Sequence, residues 1–184
     1  MAGFTERATG ARLSRDQAVA AFAPHAVEEL LAVAGTYNAT VAYSQLATRL
    51  SDRAGIDVRG LLNQWIGYVL GEVADQSATQ GWPLLSALAV DRFGRVGGGY
   101  AVAVARREGS APDDVDLHAA TERLECYRTF GAATLPLNGG QAQLEPRVAK
   151  ARLRAHRKVT HSEPAPLCSL CHERLPRTGI CDNH

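Results

Sequence analysis

The sequence lacks any apolar run of the roughly 18 to 20 residues that a membrane-spanning helix needs. The first 17 residues, MAGFTERATGARLSRDQ, have no apolar stretch after their charges, so we expect no signal peptide. Lysine is also scarce, but 46% of the 184 residues are hydrophobic and 21% are charged, which is enough to build a core. Membrane, secreted and fibrous classes are therefore excluded, and a cytoplasmic globular protein is expected.

Cysteine is absent from the first 125 residues and is concentrated at the end of the chain. Three of the four cysteines lie in the last 17 residues, in two Cys-x2-Cys/His pairs separated by nine residues. In a reducing compartment this spacing predicts a closed, structural Zn²⁺ site rather than a disulfide framework. We predict a zinc ribbon over residues 161–184 with ligands Cys168, Cys171, Cys181 and His184; His172 is the alternative fourth ligand.

Acidic residues are missing from the segment that precedes this tail. The chain carries a net charge of +1, but residues 1–144 have 12 Arg against 15 acids and residues 145–184 have 8 cations against 4 acids. A basic helix is predicted over residues 145–160. Five of its cations share one helical face and are candidate phosphate contacts: Arg147, Lys150, Arg154, Arg157 and Lys158. A solvated linker helix is the alternative interpretation.

Apolar periodicity predicts a mostly helical α+β body over residues 16–131, between a flexible tail (1–15) and a linker (132–144). Helices are expected over 16–34, 45–50, 58–77 and from 113 to 131. The apolar run 84–90 and the alternating segment 100–105 are expected to form a small β-hairpin. Two helices followed by a two-stranded wing are typical of a winged helix-turn-helix.

Three short segments resemble the DNA-binding domain of alkylguanine-DNA alkyltransferases and alkyltransferase-like proteins. They are TVAYSQLA at 40–47, Arg59-Gly60 and GRVGGGY at 94–100. The resemblance covers about residues 36–105 and implies a winged helix, with Tyr43 and Arg59 near the DNA backbone and Asn63 and Gln64 on the groove-entering helix. The family's Pro-Cys-His-Arg motif is replaced by GWPLLS at 81–86, so no thiolate is available for alkyl transfer.

An enzymatic interpretation depends on His118, Glu122 and Cys126, which recur every four residues and would line one helical face. They could bind a metal or act as an acid–base pair in a nuclease-like or defence-associated protein. The alternative is that Cys126 is a buried core residue and that His118 and Glu122 form a surface pair.

Together, the wing pattern, the basic helix and the cysteine pairs favour a non-enzymatic, zinc-containing nucleic-acid-binding protein with a regulatory or defence-type role. DNA is the expected target. The other hypothesis besides an enzyme is an adaptor whose zinc tail binds a protein partner in transcription or translation machinery. Composition leaves the oligomeric state open.

Overall fold

The computed structural model describes residues 2–162, 167–176, 179–181 and 183. It is an α+β structure and mostly helical, as predicted. The chain divides into two compact units, Met1–Val148 and Ala149–His184, which we call the N-terminal and C-terminal units. In chain order the elements are β1 (Gly3–Glu6), β2 (Arg12–Leu13), α1 (Arg15–Ala34), β3 (Val41–Ala42), α2 (Tyr43–Ala54), β4 (Ile56–Arg59), α3 (Ile66–Thr79), β5 (Ala89–Val90), α4 (Gly98–Glu108), α5 (Val115–Thr129) and α6 (Pro146–Ser162).

Helix α1 is the central element of the N-terminal unit and contacts both α2 and α3. It begins with a capping box, in which the Ser14 hydroxyl accepts from the Gln17 amide and the Gln17 side chain accepts from the Ser14 amide. Pro24 lies inside the helix without ending it. The buried residues of α1 recur at helical spacing because they share the face that packs against the core. They are Ala18, Val19, Phe22, Ala26, Val27, Leu30 and Ala34.

The N-terminal residues, expected to be a flexible tail, instead form part of a sheet. Strand β1 lies between β2 and β4 and is antiparallel to both, with Gly3 opposite Arg59. The reason is Phe4, which is buried and packs edge-on against Phe22 and Trp65 with ring centroids 6.3 Å from each. One aromatic side chain thus docks the segment.

The helix predicted over residues 58–77 begins only at Ile66. Val58 belongs to β4, and the chain then passes through Gly60 at φ 120°, a conformation that residues with a Cβ rarely adopt. A Cβ at Gly60 would also lie 3.0 Å from the Cα of Ala2. The first residues of the predicted helix therefore belong to a strand end and to a 3-10 turn, Leu62–Gln64, before the observed helix starts.

The predicted hairpin of residues 84–105 is wrong. Residues Leu85–Leu88 form a 3-10 turn, β5 pairs in parallel with β3, and the expected return strand is helix α4. In α4 the buried residues are Tyr100, Ala103 and Val104, which is a helical rather than an alternating pattern. No wing is formed by these described residues, so this part of the winged-helix expectation is not met.

Residues 132–144, expected to be a linker, contain no helix or strand and are held within the N-terminal unit by side-chain hydrogen bonds. Arg128 donates to the carbonyls of Gly139 and Gly140, and the Tyr37 hydroxyl donates to the carbonyl of Gln141. The division between the units falls later, inside α6.

Among the residues that the structure describes, no helix combines the length and apolarity needed to cross a bilayer.

Candidate metal centre and nucleic-acid interface

Three cysteines meet in the C-terminal unit, as the sequence predicts. The Sγ atoms of Cys168, Cys171 and Cys181 all lie within 4.8 Å of one another, and those of Cys171 and Cys181 are 3.5 Å apart. All three are free thiols. Sulfur atoms at this spacing from two separate chain segments can hold one metal ion.

The first cysteine pair is presented by a short knuckle in the backbone. Leu167 and Arg174 form an antiparallel bridge, the Cys168 amide donates to the Glu173 carbonyl at 2.8 Å, and the His172 amide donates to the Cys168 carbonyl at 2.9 Å. His172 itself adopts φ 58°, which turns the chain back after Cys171. Cys168 and Cys171 thus lie on either side of one tight turn, with their sulfur atoms within 4.8 Å of each other.

Backbone amides near Cys168 also stabilise a negative charge on its sulfur. The Leu170 amide donates to Cys168 Sγ at 3.5 Å. Hydrogen bonds from the Cys171 and Leu170 amides favour the thiolate and lower the pKa of Cys168 to about 7. A thiolate is the form that binds metal, so the backbone favours metal binding at neutral pH.

Two histidines were predicted as candidates for the fourth ligand. His184, the predicted ligand, lies outside them. The alternative, His172, is described and exposed, but within the described part of the chain its imidazole does not belong to the cysteine cluster.

The basic helix predicted over residues 145–160 is present as α6. Every residue from Ala149 to Arg157 is exposed, including Lys150, Arg154 and Arg157. The side chain of Lys158 lies outside the described residues. Arg147, at the beginning of α6, donates to the carbonyl of Arg92 at 2.5 Å, which fixes this guanidinium within the N-terminal unit. Arg147 is therefore partly committed to structure.

The residues that the resemblance placed on a DNA surface have different surroundings. Asn63 and Gln64 lie in the 3-10 turn before α3, not on a helix, because of the break at Gly60. Arg59 is exposed at the end of β4. Tyr43 is half-buried, and its hydroxyl accepts from the Gly97 amide at 2.6 Å. Burial raises the pKa of Tyr43. Tyr43 therefore joins α2 to the glycine segment.

The candidate catalytic residues on α5 form a different cluster from the predicted one. His118 Nδ1 is 3.0 Å from the Tyr100 hydroxyl and its Nε2 is 3.3 Å from Glu108. Glu122 accepts from the Leu84 amide at 2.6 Å and pairs with Arg107 at 3.4 Å. Glu108 thus replaces Cys126 as the third member of a group with metal-ligand spacing. The contacts of His118 and Glu122 join α5 to α4 and to the segment at Leu84.

Cys126 is fully buried on α5, as in the structural interpretation of the sequence. The sequence signals missed Glu108, which lies ten residues before His118 on the preceding helix, α4. Contact between these two helices could not be inferred from residue spacing along one helix.

Comparison with family models, with curated proteins and with solved structures finds no match to this chain.

Proposed function

We propose that this chain is a non-enzymatic nucleic-acid-binding protein, with duplex DNA as its target, whose C-terminal unit contains a structural zinc site beside a basic helix. The observation that carries the proposal is the exposed basic face of α6, directly before the three-cysteine cluster. An exposed row of cations attracts the phosphate backbone without reading sequence.

Zinc is the metal that best fits this donor set. Three thiolates from two short segments favour a borderline-soft, tetrahedral ion. The exclusion of the His172 imidazole from the cluster supports His184 as the fourth ligand, since it stands three residues after Cys181. With four protein ligands the ion has no open position for water, so its role would be structural.

The charge on α6 supports an electrostatic mode of binding. Six cations and no acids lie between residues 147 and 158. On a helix, Lys150, Arg154 and Arg157 lie on one face, so they can follow one strand of phosphates. Each phosphate that is neutralised releases a counterion, and the affinity should therefore fall steeply with salt.

A second candidate function is the adaptor, and one observation favours it. Leu167, Leu170 and Ile180 flank the cysteine cluster and are exposed by 58%, 73% and 69%. Apolar side chains exposed together on a small metal-bound tail are typical of a surface that docks a protein partner. Both functions use the same unit, but they differ in their salt dependence and in which side chains matter.

The salt dependence of duplex binding tests the proposal. We expect the double variant Lys150→Gln/Arg154→Gln to bind more weakly and to reduce the slope of log K against log salt by about 1.8, if both cations contact phosphates. The matched control, Arg12→Gln/Arg15→Gln, removes two exposed arginines from the N-terminal unit and should leave the slope unchanged. Fluorescence anisotropy with a labelled duplex measures both, and a single-stranded RNA of equal length measures the preference for DNA.

Binding that is absent at low salt, or that has the same slope in both double variants, contradicts the proposal. The adaptor function makes the opposite prediction. A partner that remains bound after nuclease treatment, and is lost in Leu170→Ser but not in Lys150→Gln/Arg154→Gln, would replace nucleic acid as the target.

A further inference from the structure

A buried arginine, Arg123 on α5, lines a cavity of about 170 Å³ in the N-terminal unit. The floor of this cavity is one face of α5, where Ala120 and Leu124 are buried beside Arg123. At roughly 30 Å³ for each water molecule, the cavity has room for about five waters, so its ligand would be small. Exposed polar residues form the rim: Asn38, Gln141 and Gln143.

The guanidinium of Arg123 has no ion-pair partner among the described residues. Arg123 is 4% exposed, and arginine is rarely buried to this extent unless a carboxylate is paired with it. Within the described part of the chain its one hydrogen bond runs from Nη1 to the Ala87 carbonyl at 3.3 Å. Burial lowers the pKa of Arg123 and outweighs the opposite effect of nearby acidic groups, which include Glu145 and Asp116. The protein therefore compensates this buried charge only in part.

The other guanidinium nitrogens of Arg123 reach open space. Among the described residues, the fully covered side-chain polar atoms without a partner are His25 Nδ1 and Ser86 Oγ. Nε and Nη2 of Arg123 also have no partner there, so they are not fully covered, and Arg123 lines this cavity. Nε and Nη2 carry adjacent, parallel N–H groups. This pair of donors matches the two oxygens of a carboxylate.

One carboxylate lines the same cavity and limits the charge of the ligand. Glu145 Oε2 accepts from the Arg147 amide at 2.9 Å, so this oxygen is already engaged at the beginning of α6. Glu145 would repel a doubly charged phosphate more strongly than a singly charged anion. Leu124 and Leu144 add apolar surface, which a short carbon chain can contact.

We infer that the cavity beside Arg123 binds a small monocarboxylate, whose two oxygens accept hydrogen bonds from Nε and Nη2 of Arg123 and whose short carbon chain contacts Leu124 and Leu144. This site belongs to the N-terminal unit. It is independent of the proposed nucleic-acid function, which uses the cations of α6 from Lys150 onward and the cysteine cluster.

Nuclear magnetic resonance of the ¹⁵N-labelled full chain tests the inference, with acetate as the probe. Sodium acetate replaces sodium chloride at constant ionic strength, so that general salt effects cancel. The resonance of Arg123 Nε–H, identified by its loss in Arg123→Lys, should shift and saturate with acetate. We expect acetamide, which has the same shape without the charge, to bind more weakly by about tenfold or more.

The backbone amides of Ala120 and Leu124 report the same binding in the variants. Arg123→Lys keeps the charge but loses the paired donors, so it should weaken acetate binding by about fivefold or more. Arg12→Lys, the same change at an exposed arginine outside the cavity, should leave acetate binding unchanged.

Glu145→Gln gives a test of opposite sign. It removes a negative charge from the lining and keeps an acceptor for the Arg147 amide, so it should strengthen acetate binding several-fold. If Arg123→Lys does not fold, this variant and the comparison of acetate with acetamide still decide. The inference is overturned by the absence of a saturable shift, by equal binding of acetamide, or by weaker acetate binding in Glu145→Gln. Loss of nucleic-acid binding in Lys150→Gln/Arg154→Gln would not alter these results.

Discussion

Cys126 differs from the other three cysteines in its surroundings. It is fully buried on α5, and this burial raises the pKa of its thiol to about 12. Since the thiolate is the reactive form, Cys126 should remain protonated and inert where an ordinary cysteine ionises, at about pH 8.5. The residue is thus a packing group of the core and not a nucleophile.

Thiol counting should separate Cys126 from the three clustered cysteines. In folded, chelator-treated protein at about pH 8, we expect Ellman's reagent to react with Cys168, Cys171 and Cys181 but not with Cys126. Guanidinium chloride should expose the fourth thiol. Cys126→Ala should leave the native count unchanged and lower the denatured count by one; rapid native reaction of all four thiols would contradict the burial.

At the scale of elements, β1 shows how one side chain holds a short strand in place. Phe4 contacts Phe22 and Trp65, whose own ring centroids are 5.1 Å apart. We expect Phe4→Ala to lower the free energy of unfolding by about 3 to 4 kcal/mol, because a buried aromatic ring is lost and a cavity remains. Urea denaturation followed by tryptophan fluorescence measures this. Thr5→Ala, on the opposite face of the strand, should lower the free energy of unfolding by less than about 1 kcal/mol. An equal decrease in both variants would contradict the conclusion that Phe4 holds β1 in place.

The elements also show what the sequence could and could not predict. Helices α1 and α5 were predicted near their observed bounds because each has an apolar period and an end signal: Gly35 at the end of α1 and the acids at the beginning of α5. Helix α4 was mistaken for a strand because an alternation of alanine and valine satisfies both periods. The late start of α3 depends on Gly60 and its close approach to Ala2, a contact between residues far apart in the chain.

The candidate sites also differ in how far the sequence could predict them. Cysteine spacing predicted the three-sulfur cluster, because metal ligands at a knuckle are close in sequence. The contact of His118 with Glu108 could not be predicted, since the two residues lie on different helices. Sequence spacing reports local sites well and sites between elements poorly.

At the scale of the whole molecule, the two compact units should differ in what stabilises them. The N-terminal unit has a large apolar core, whereas the described residues of the C-terminal unit include the cysteine cluster and bury little apolar surface. If the proposed zinc site forms, we expect metal binding to supply most of the folding free energy of the tail. We expect one zinc ion per chain, and acid should release it below about pH 6 because protons compete for the thiolates.

Cys171→Ser should abolish zinc binding and make the tail sensitive to protease, while the thermal transition of the N-terminal unit stays unchanged. Ser169→Ala, in the same knuckle but without a ligand atom for the cluster, should retain the metal. Elemental analysis and limited proteolysis with intact-mass detection measure both. Nucleic-acid binding should weaken without being lost, since the cations of α6 remain. A Cys171→Ser protein that retains its full zinc content would contradict the assignment.

The pairing of β1 with β4 has a consequence for synthesis on the ribosome. Phe4 is made well before Val58, its partner in β4, and Trp65 comes later still. At about 5 to 20 residues per second, Trp65 follows Phe4 by roughly 3 to 12 seconds. During that interval the nascent chain presents an unpaired strand edge and a bare aromatic ring. This is the kind of segment that chaperones at the tunnel exit bind, so they should engage this chain before α3 has emerged.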